Sequence, residues 1–194
     1  MAASGMTPQD PGRFGARVLP FEGSYPEISD SVFLAPGATV IGEVSLEEEV
    51  GIWYNTVVRG DVVPIRIGAR SNIQDGCMIH GPHGDEETVI GEEVTVGHHV
   101  VIHGCTIEDR SLIGIGAVVL DYARVETQAV IAAGAVVTPR TVVKSGYLYG
   151  GIPARPLRKL DDGELDYFAE SAQNYTTYAA KAAASLEEHL RGNS

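Results

Sequence analysis

Cysteine is scarce in this chain, basic charge is in deficit, and no apolar run is long. Cys77 and Cys105 are the only cysteines in 194 residues, too few for a disulfide framework. Both fall where the repeat described below wants a small side chain, so packing is their expected role. Fourteen Lys and Arg against 26 Asp and Glu leave a formal net charge of −12. That balance argues against nucleic acid and anionic membrane as partners. No stretch approaches the roughly 20 apolar residues that span a bilayer. The start, MAASGMTPQDPGRFGARV, has no apolar segment behind a basic one, so it does not read as a secretory signal. Residues 1–13 are expected to form a flexible tail, and a cytoplasmic location is the default.

What is present is a period of six. Aliphatic residues stand at Leu34, Val40, Leu46, Ile52 and Val58, then at Ile67, Ile73 and Ile79, then at Ile90, Val96 and Ile102. After a one-residue contraction they resume at Ile107, Ile113, Val119, Val125, Ile131 and Val137. Small or β-branched residues follow four places behind, among them Ala38, Thr56, Ser111, Ala117 and Ala135. An amphipathic helix repeats at 3.6 and a long strand at 2, so neither fits. Short strands that turn a corner every six residues do fit, each burying one side chain inside a prism. Seventeen registered positions exclude a chance pattern in an ordinary sandwich. Glycines at 42, 68, 91, 97, 114 and 134 mark expected corners, where positive φ is cheap. The prism is expected over 14–145. SGYLYGGIPARPLRKL then reads as a loop leaving it, and a helix over roughly 162–190 is capped by Asp161 or Asp162. Leu165, Phe168, Ala172, Tyr175, Tyr178, Ala179 and Ala182 lie at helical spacing, a stripe that packs on the prism wall.

With three hexapeptides per coil, every third aliphatic position shares a column. Val58, Ile79 and Ile102 form one, which stacks the next residues, Arg59, His80 and His103, on one outward face. Ile52, Ile73 and Val96 form another. Two places on are Asp75 and His98, with Gln74 beside them. His98 therefore sits on a different face and does not reach the His80/His103 pair within one chain. A symmetric partner would bring the two edges together in a head-to-tail contact that must close into a ring. A three-sided prism makes that ring a trimer. Three imidazoles with a fourth position open describe a catalytic rather than a structural zinc site. His83, His99 and His189 gain no such support from the register.

These residues resemble the gamma-class carbonic anhydrases and their close relatives. The segments that carry the likeness are RGD at 59–61, IGARSNIQDGCMIH at 67–80, VTVGHHVVIHGCTI at 94–107, GIGAVVLDYA at 114–123 and SGYLYGGIPARPLR at 145–158. The resemblance implies an all-β solenoid, a left-handed parallel β-helix with a C-terminal α-helix. It implies metal ligands at His80, His98 and His103, with His98 donated across a homotrimer interface, and Zn2+, Fe2+ or Co2+ as the cofactor. Arg59 would contact Asp75 across that interface and help place an anionic product. Asp61 and Gln74 would line the pocket, and Asn72 also matches. The implied reaction is reversible hydration of carbon dioxide to bicarbonate by hydroxide on the metal.

The chain departs from the founding members of that family in its short loop before the second histidine. Glu86 and Glu87 stand where those members carry a proton-shuttling glutamate, and Tyr175 and Tyr178 are further positional candidates for that role. Three alternatives stand beside this reading, the second of them disfavoured by the assembled His80, His98 and His103. They are a metal-dependent hydrolase or hydratase of another small carbonyl compound, an acyl-CoA-dependent acyltransferase, and a catalytically silent trimeric scaffold.

Overall fold

A computed structural model describes residues 12, 14–84 and 86–192, the side chain of residue 169 excepted. The expected tail over 1–13 lies, residue 12 aside, outside the described residues. Short strands stack in parallel into three columns, because each aliphatic position of the period turns inward and meets its counterpart one coil away. The first column pairs Val40, Val58, Ile79, Ile102, Val119 and Val137. The second pairs Leu46, Ile67, Ile90, Ile107, Val125 and Val143. The third runs from Leu34 through Ile52, Ile73, Val96, Ile113 and Ile131 to Tyr149. All of these side chains are buried. The result is the left-handed parallel β-helix that the resemblance implies.

Two features depart from the sequence reading. The expected positive φ is found at Gly42 and Gly134 but not at Gly68, Gly91, Gly97 or Gly114. Those four are glycine because the next coil's backbone is too close. A Cβ on Gly114 would lie 2.5 Å from the Ala133 nitrogen, and one on Gly68 2.6 Å from the Gly91 carbonyl carbon. Positive φ falls instead on turn residues with side chains, such as Arg70, Glu93, His99 and Arg140. The second departure is the stretch expected to be a loop after the prism. Its first part, Tyr147–Gly150, is a further rung of the third face, paired with Val130–Ile131 and in antiparallel with Arg155–Lys159. Tyr149 fills the inward position there, and the Gly and Pro punctuation makes the turn of that hairpin.

The nine-residue step from Val58 to Ile67 is taken by one strand, Val57–Ile67, that runs round a corner. Its register against Thr39–Leu46 shifts between Gly42 and Val44, whose partners are Gly60 and Ile65. The extra residues 61–64 bulge at that corner, beside the ends of Met78–His80 and Val101–His103.

The helix runs Asp162–Gly192. Asp161 is its cap: Asp161 Oδ1 accepts the Glu164 N–H at 2.9 Å, and Glu164 Oε2 accepts the Asp161 N–H at 3.0 Å, a capping box. Phe168, Ala172 and Ala179 are buried, and the helix lies on the third face, against Phe33–Leu34, Gly51–Ile52, Asn72–Ile73 and Thr95–Val96. Tyr178 is half exposed at 49%, meets the edge of Tyr175 with ring centroids 5.7 Å apart, and carries Lys181 Nζ 6.0 Å above its ring.

Candidate metal centre

His103 is paired in register with His80 across adjacent coils. Their rings face one another with His80 Nδ1 3.2 Å from His103 Nε2. Each ring is held at its other nitrogen by a carboxylate: His80 Nε2 by Asp61 at 2.9 Å, and His103 Nδ1 by Asp121. Asp61 also takes the Arg59 guanidinium. Burial alone raises the Asp61 carboxyl, and the hydrogen bonds from Arg59 and His80 more than offset this and leave it below the ordinary range. His80 is pushed down, first by desolvation and then by the Arg59 charge, against the opposing hold of Asp61. Neutral imidazole is therefore its favoured form.

A neutral imidazole has one donor and one acceptor nitrogen. When each outer nitrogen donates to its carboxylate, the two inner nitrogens are both acceptors aimed at the same space. They cannot bond one another. Two ligands of a tetrahedral cation at about 2.0–2.1 Å stand roughly 3.3 Å apart, close to the separation here. Carboxylate behind imidazole is also the usual outer support of a metal ligand. The donor set fits a divalent cation, but as two ligands of it. Among the described residues, no three His, Cys, Asp or Glu side chains of one chain are arranged to hold a metal.

His98 stands elsewhere, in the turn before Val101–His103, with its Nδ1 2.7 Å from Asp75. A whole strand separates it from the pair, as the register requires. Gln74 is buried and belongs to the His98 edge. Its Nε2 donates to Asn72 Oδ1 at 3.2 Å, and the Tyr175 hydroxyl lies near it. So the seven predicted residues form two clusters in one chain: Arg59, Asp61, His80 and His103 at one corner, and Gln74, Asp75 and His98 at another.

Of the proton-shuttle candidates, Glu87 is committed to Arg66 at 2.9 Å and Glu86 is exposed in the short loop. Tyr175 lies between Gln74 and Trp53, with its hydroxyl pushed up chiefly by burial. Asp121 escaped the sequence reading. It stands two places beyond Val119, the residue stacked on Ile102 in the next coil, and nothing in the period marks its side chain as turning back to His103.

The outward residues of the His80/His103 face form an apolar ladder, Val57, Met78, Val101, Val118 and Val136. On the second face the same positions are Arg66, Val89, Thr106, Arg124 and Val142, and the third is covered by the helix.

The fold and the paired histidines together define a hexapeptide-repeat β-helix protein. A solved relative supports that class: a hexapeptide transferase family protein of Anaplasma phagocytophilum superposes with a TM-score of 0.82 at 38% identity, over 85% of this chain and 97% of that one. No protein-family profile matches the chain. A "probable carbonic anhydrase" of Methanocaldococcus jannaschii is 40% identical over 148 residues, 76% of this chain and 92% of that protein. "Gamma carbonic anhydrase 1, mitochondrial" of Arabidopsis thaliana is 43% identical over 164 residues, 82% of this chain, and the chain spans 60% of that protein's length. The chain belongs to the gamma carbonic anhydrase family.

Proposed function

We propose that the protein is a metal-dependent enzyme that hydrates carbon dioxide reversibly to bicarbonate. The observation that carries this is the His80–His103 pair, two ring nitrogens 3.2 Å apart with both outer nitrogens on carboxylates. The third ligand is His98 of the partner subunit, in a homotrimer whose contact covers the apolar ladder on the His80/His103 face. Zn2+, Fe2+ and Co2+ all suit three imidazoles. When bound, such a cation supplies Lewis acidity, which brings the pKa of a water from about 15.7 toward roughly 7.

The chain's own residues do the rest. Asp61 and Asp121 fix the tautomers of His80 and His103, so that each presents a lone pair inward. Arg59, steadied by Asp61, offers its guanidinium to the developing bicarbonate, and across the interface it meets Asp75 of the partner subunit. Gln74 orients the reacting water. The buried, unpaired thiols of Cys77 and Cys105 suit a reducing compartment such as the cytoplasm.

The test is stopped-flow carbon dioxide hydration by metal-quantified protein, loaded anaerobically with iron(II) and separately with zinc. Fast hydration that His103→Ala abolishes supports the reading. Stoichiometric metal without hydration overturns it in favour of another small carbonyl substrate. A second reading, acyl transfer, is favoured by the Anaplasma protein's description as a hexapeptide transferase. Saturable binding of acetyl-CoA by the same preparation would support it.

A further inference from the structure

Four buried side chains link the C-terminal helix to Gln74. Gln74 Nε2 donates to Asn72 Oδ1 at 3.2 Å, Asn72 Nδ2 donates to Thr95 Oγ1 at 3.0 Å, and Thr95 Oγ1 lies 3.0 Å from Ser171 Oγ. Asn72, Gln74, Thr95 and Ser171 are each no more than 7% exposed. Bulk water therefore reaches little of them, and most of their hydrogen bonds are made to one another.

A primary amide has a donating end and an accepting end, so a chain of amides has a direction. In the observed direction Thr95 accepts from Asn72 and has one proton left to place. Ser171 stands beside it, and either hydroxyl of the pair can be the donor. The opposite direction uses the same four side chains: Thr95 donates to Asn72 Oδ1, and Asn72 Nδ2 donates to Gln74 Oε1. The two directions turn the Gln74 amide opposite ways. One sets its carbonyl oxygen away from Asn72, and the other its NH2.

We propose that Ser171 is a positioning residue which, through Thr95 and Asn72, fixes the face that the Gln74 amide presents to the proposed site. The helix is then part of the site's machinery rather than a cover for the third face. By holding Thr95 Oγ1 in place at 3.0 Å, Ser171 keeps Asn72, and through it Gln74, in the arrangement in which Gln74 gives its N–H groups inward and keeps its carbonyl oxygen to accept from the reacting water. Tyr175, four residues and one turn beyond Ser171 on the same helix face, lies beside the same Gln74 side chain. Two helix positions therefore bear on one amide. The role given to Gln74 rests on the function proposed above, whereas the relay itself does not.

The test uses the full-length, metal-loaded protein with 15N-labelled glutamine and asparagine. The side-chain NH2 resonances of Gln74 and Asn72 are identified by their loss in Gln74→Glu and Asn72→Asp. Ser171→Ala should shift both NH2 pairs and speed their exchange with water, and Ser171→Thr should keep them as in the native protein. Thr95→Val, nearly isosteric, should reproduce the Ser171→Ala change from the other side of the same bond. Carbon dioxide hydration should fall between about 10- and 100-fold in kcat for Ser171→Ala, with KM little changed and Ser171→Thr restored. Unchanged NH2 resonances in both Ser171→Ala and Thr95→Val would overturn the relay. Native protein that hydrates no carbon dioxide would overturn the proposed function instead, and the resonances would still decide the relay.

Discussion

Asp121 stands behind His103 as Asp61 stands behind His80, and each carboxylate decides which imidazole nitrogen keeps its lone pair. Asp121→Asn leaves the shape but can turn an N–H toward the ring nitrogen that ought to donate. Metal affinity should fall about 10- to 100-fold, read by competition with a chromophoric chelator, while the thermal midpoint of the metal-free protein changes little. An unchanged affinity would mean the carboxylate does not orient the ring. The histidines were legible in the sequence because a period of six, counted in threes, places His80 over His103 without any coordinates. Asp121 was not, since its reach back to the ring depends on side-chain direction at a turn. The cysteines read correctly as core residues, with burial pushing both thiols up to about 12, far from a reactive thiolate.

The helix begins at a reciprocal cap and is clamped there by Arg158, whose guanidinium takes both Glu164 carboxylate oxygens at 2.6 and 2.7 Å. That clamp, helped by the Asp161 N–H, holds Glu164 down at about 2 from its ordinary 4.5. The unfolded chain thus binds a proton that the folded chain refuses, so the contribution to stability is present above pH 4.5 and is lost as pH falls toward about 2. The thermal midpoint of Glu164→Gln should lie below that of the native protein at neutral pH, and the gap should close across that acid window. Asp161→Ala removes the other half of the cap and should cost about 1 kcal/mol, measured by denaturant titration. The strands were readable as a class because each shows one inward aliphatic residue, and the helix because Asp161 or Asp162 can cap a stripe at helical spacing. The corner glycines were misread because sequence does not separate a glycine chosen for its φ from one chosen for lacking a Cβ. The last rung at Tyr147–Gly150 was missed because Tyr replaces the expected aliphatic residue. The grip of Ser171 on Thr95 was invisible for a plainer reason: a helix hydroxyl carries no mark of the strand it will meet.

At the scale of the whole molecule, the two clusters sit at different corners of one prism, and the proposed homotrimer would join them. The apolar ladder from Val57 to Val136 faces outward where a lone solenoid would carry charge, as the Arg66–Arg124 face does. A divided site makes a distinctive prediction. His98→Ala and His103→Ala subunits should each be inactive alone. Co-expressed in equal amounts, they should regain roughly a quarter of native activity, because a random ring pairs an intact His80/His103 wall with an intact His98 edge about that often. No recovery in mixed trimers verified by mass would show that all three histidines act within one chain or that none does. The division itself was legible from the column count. What was not legible is which faces are bare and which are covered, since that depends on where the terminal helix lies down.

The rung that joins His103 to His80 has a consequence for how the site can change over time. Its width is set by the ladder spacing of the backbone, roughly 4.8 Å, and not by any loop. Drift in the surrounding turns can therefore recolour the pocket, shifting its charge or its access, without altering its gauge. A lineage carrying this frame is free to try new small substrates while the seat for the cation stays the same size.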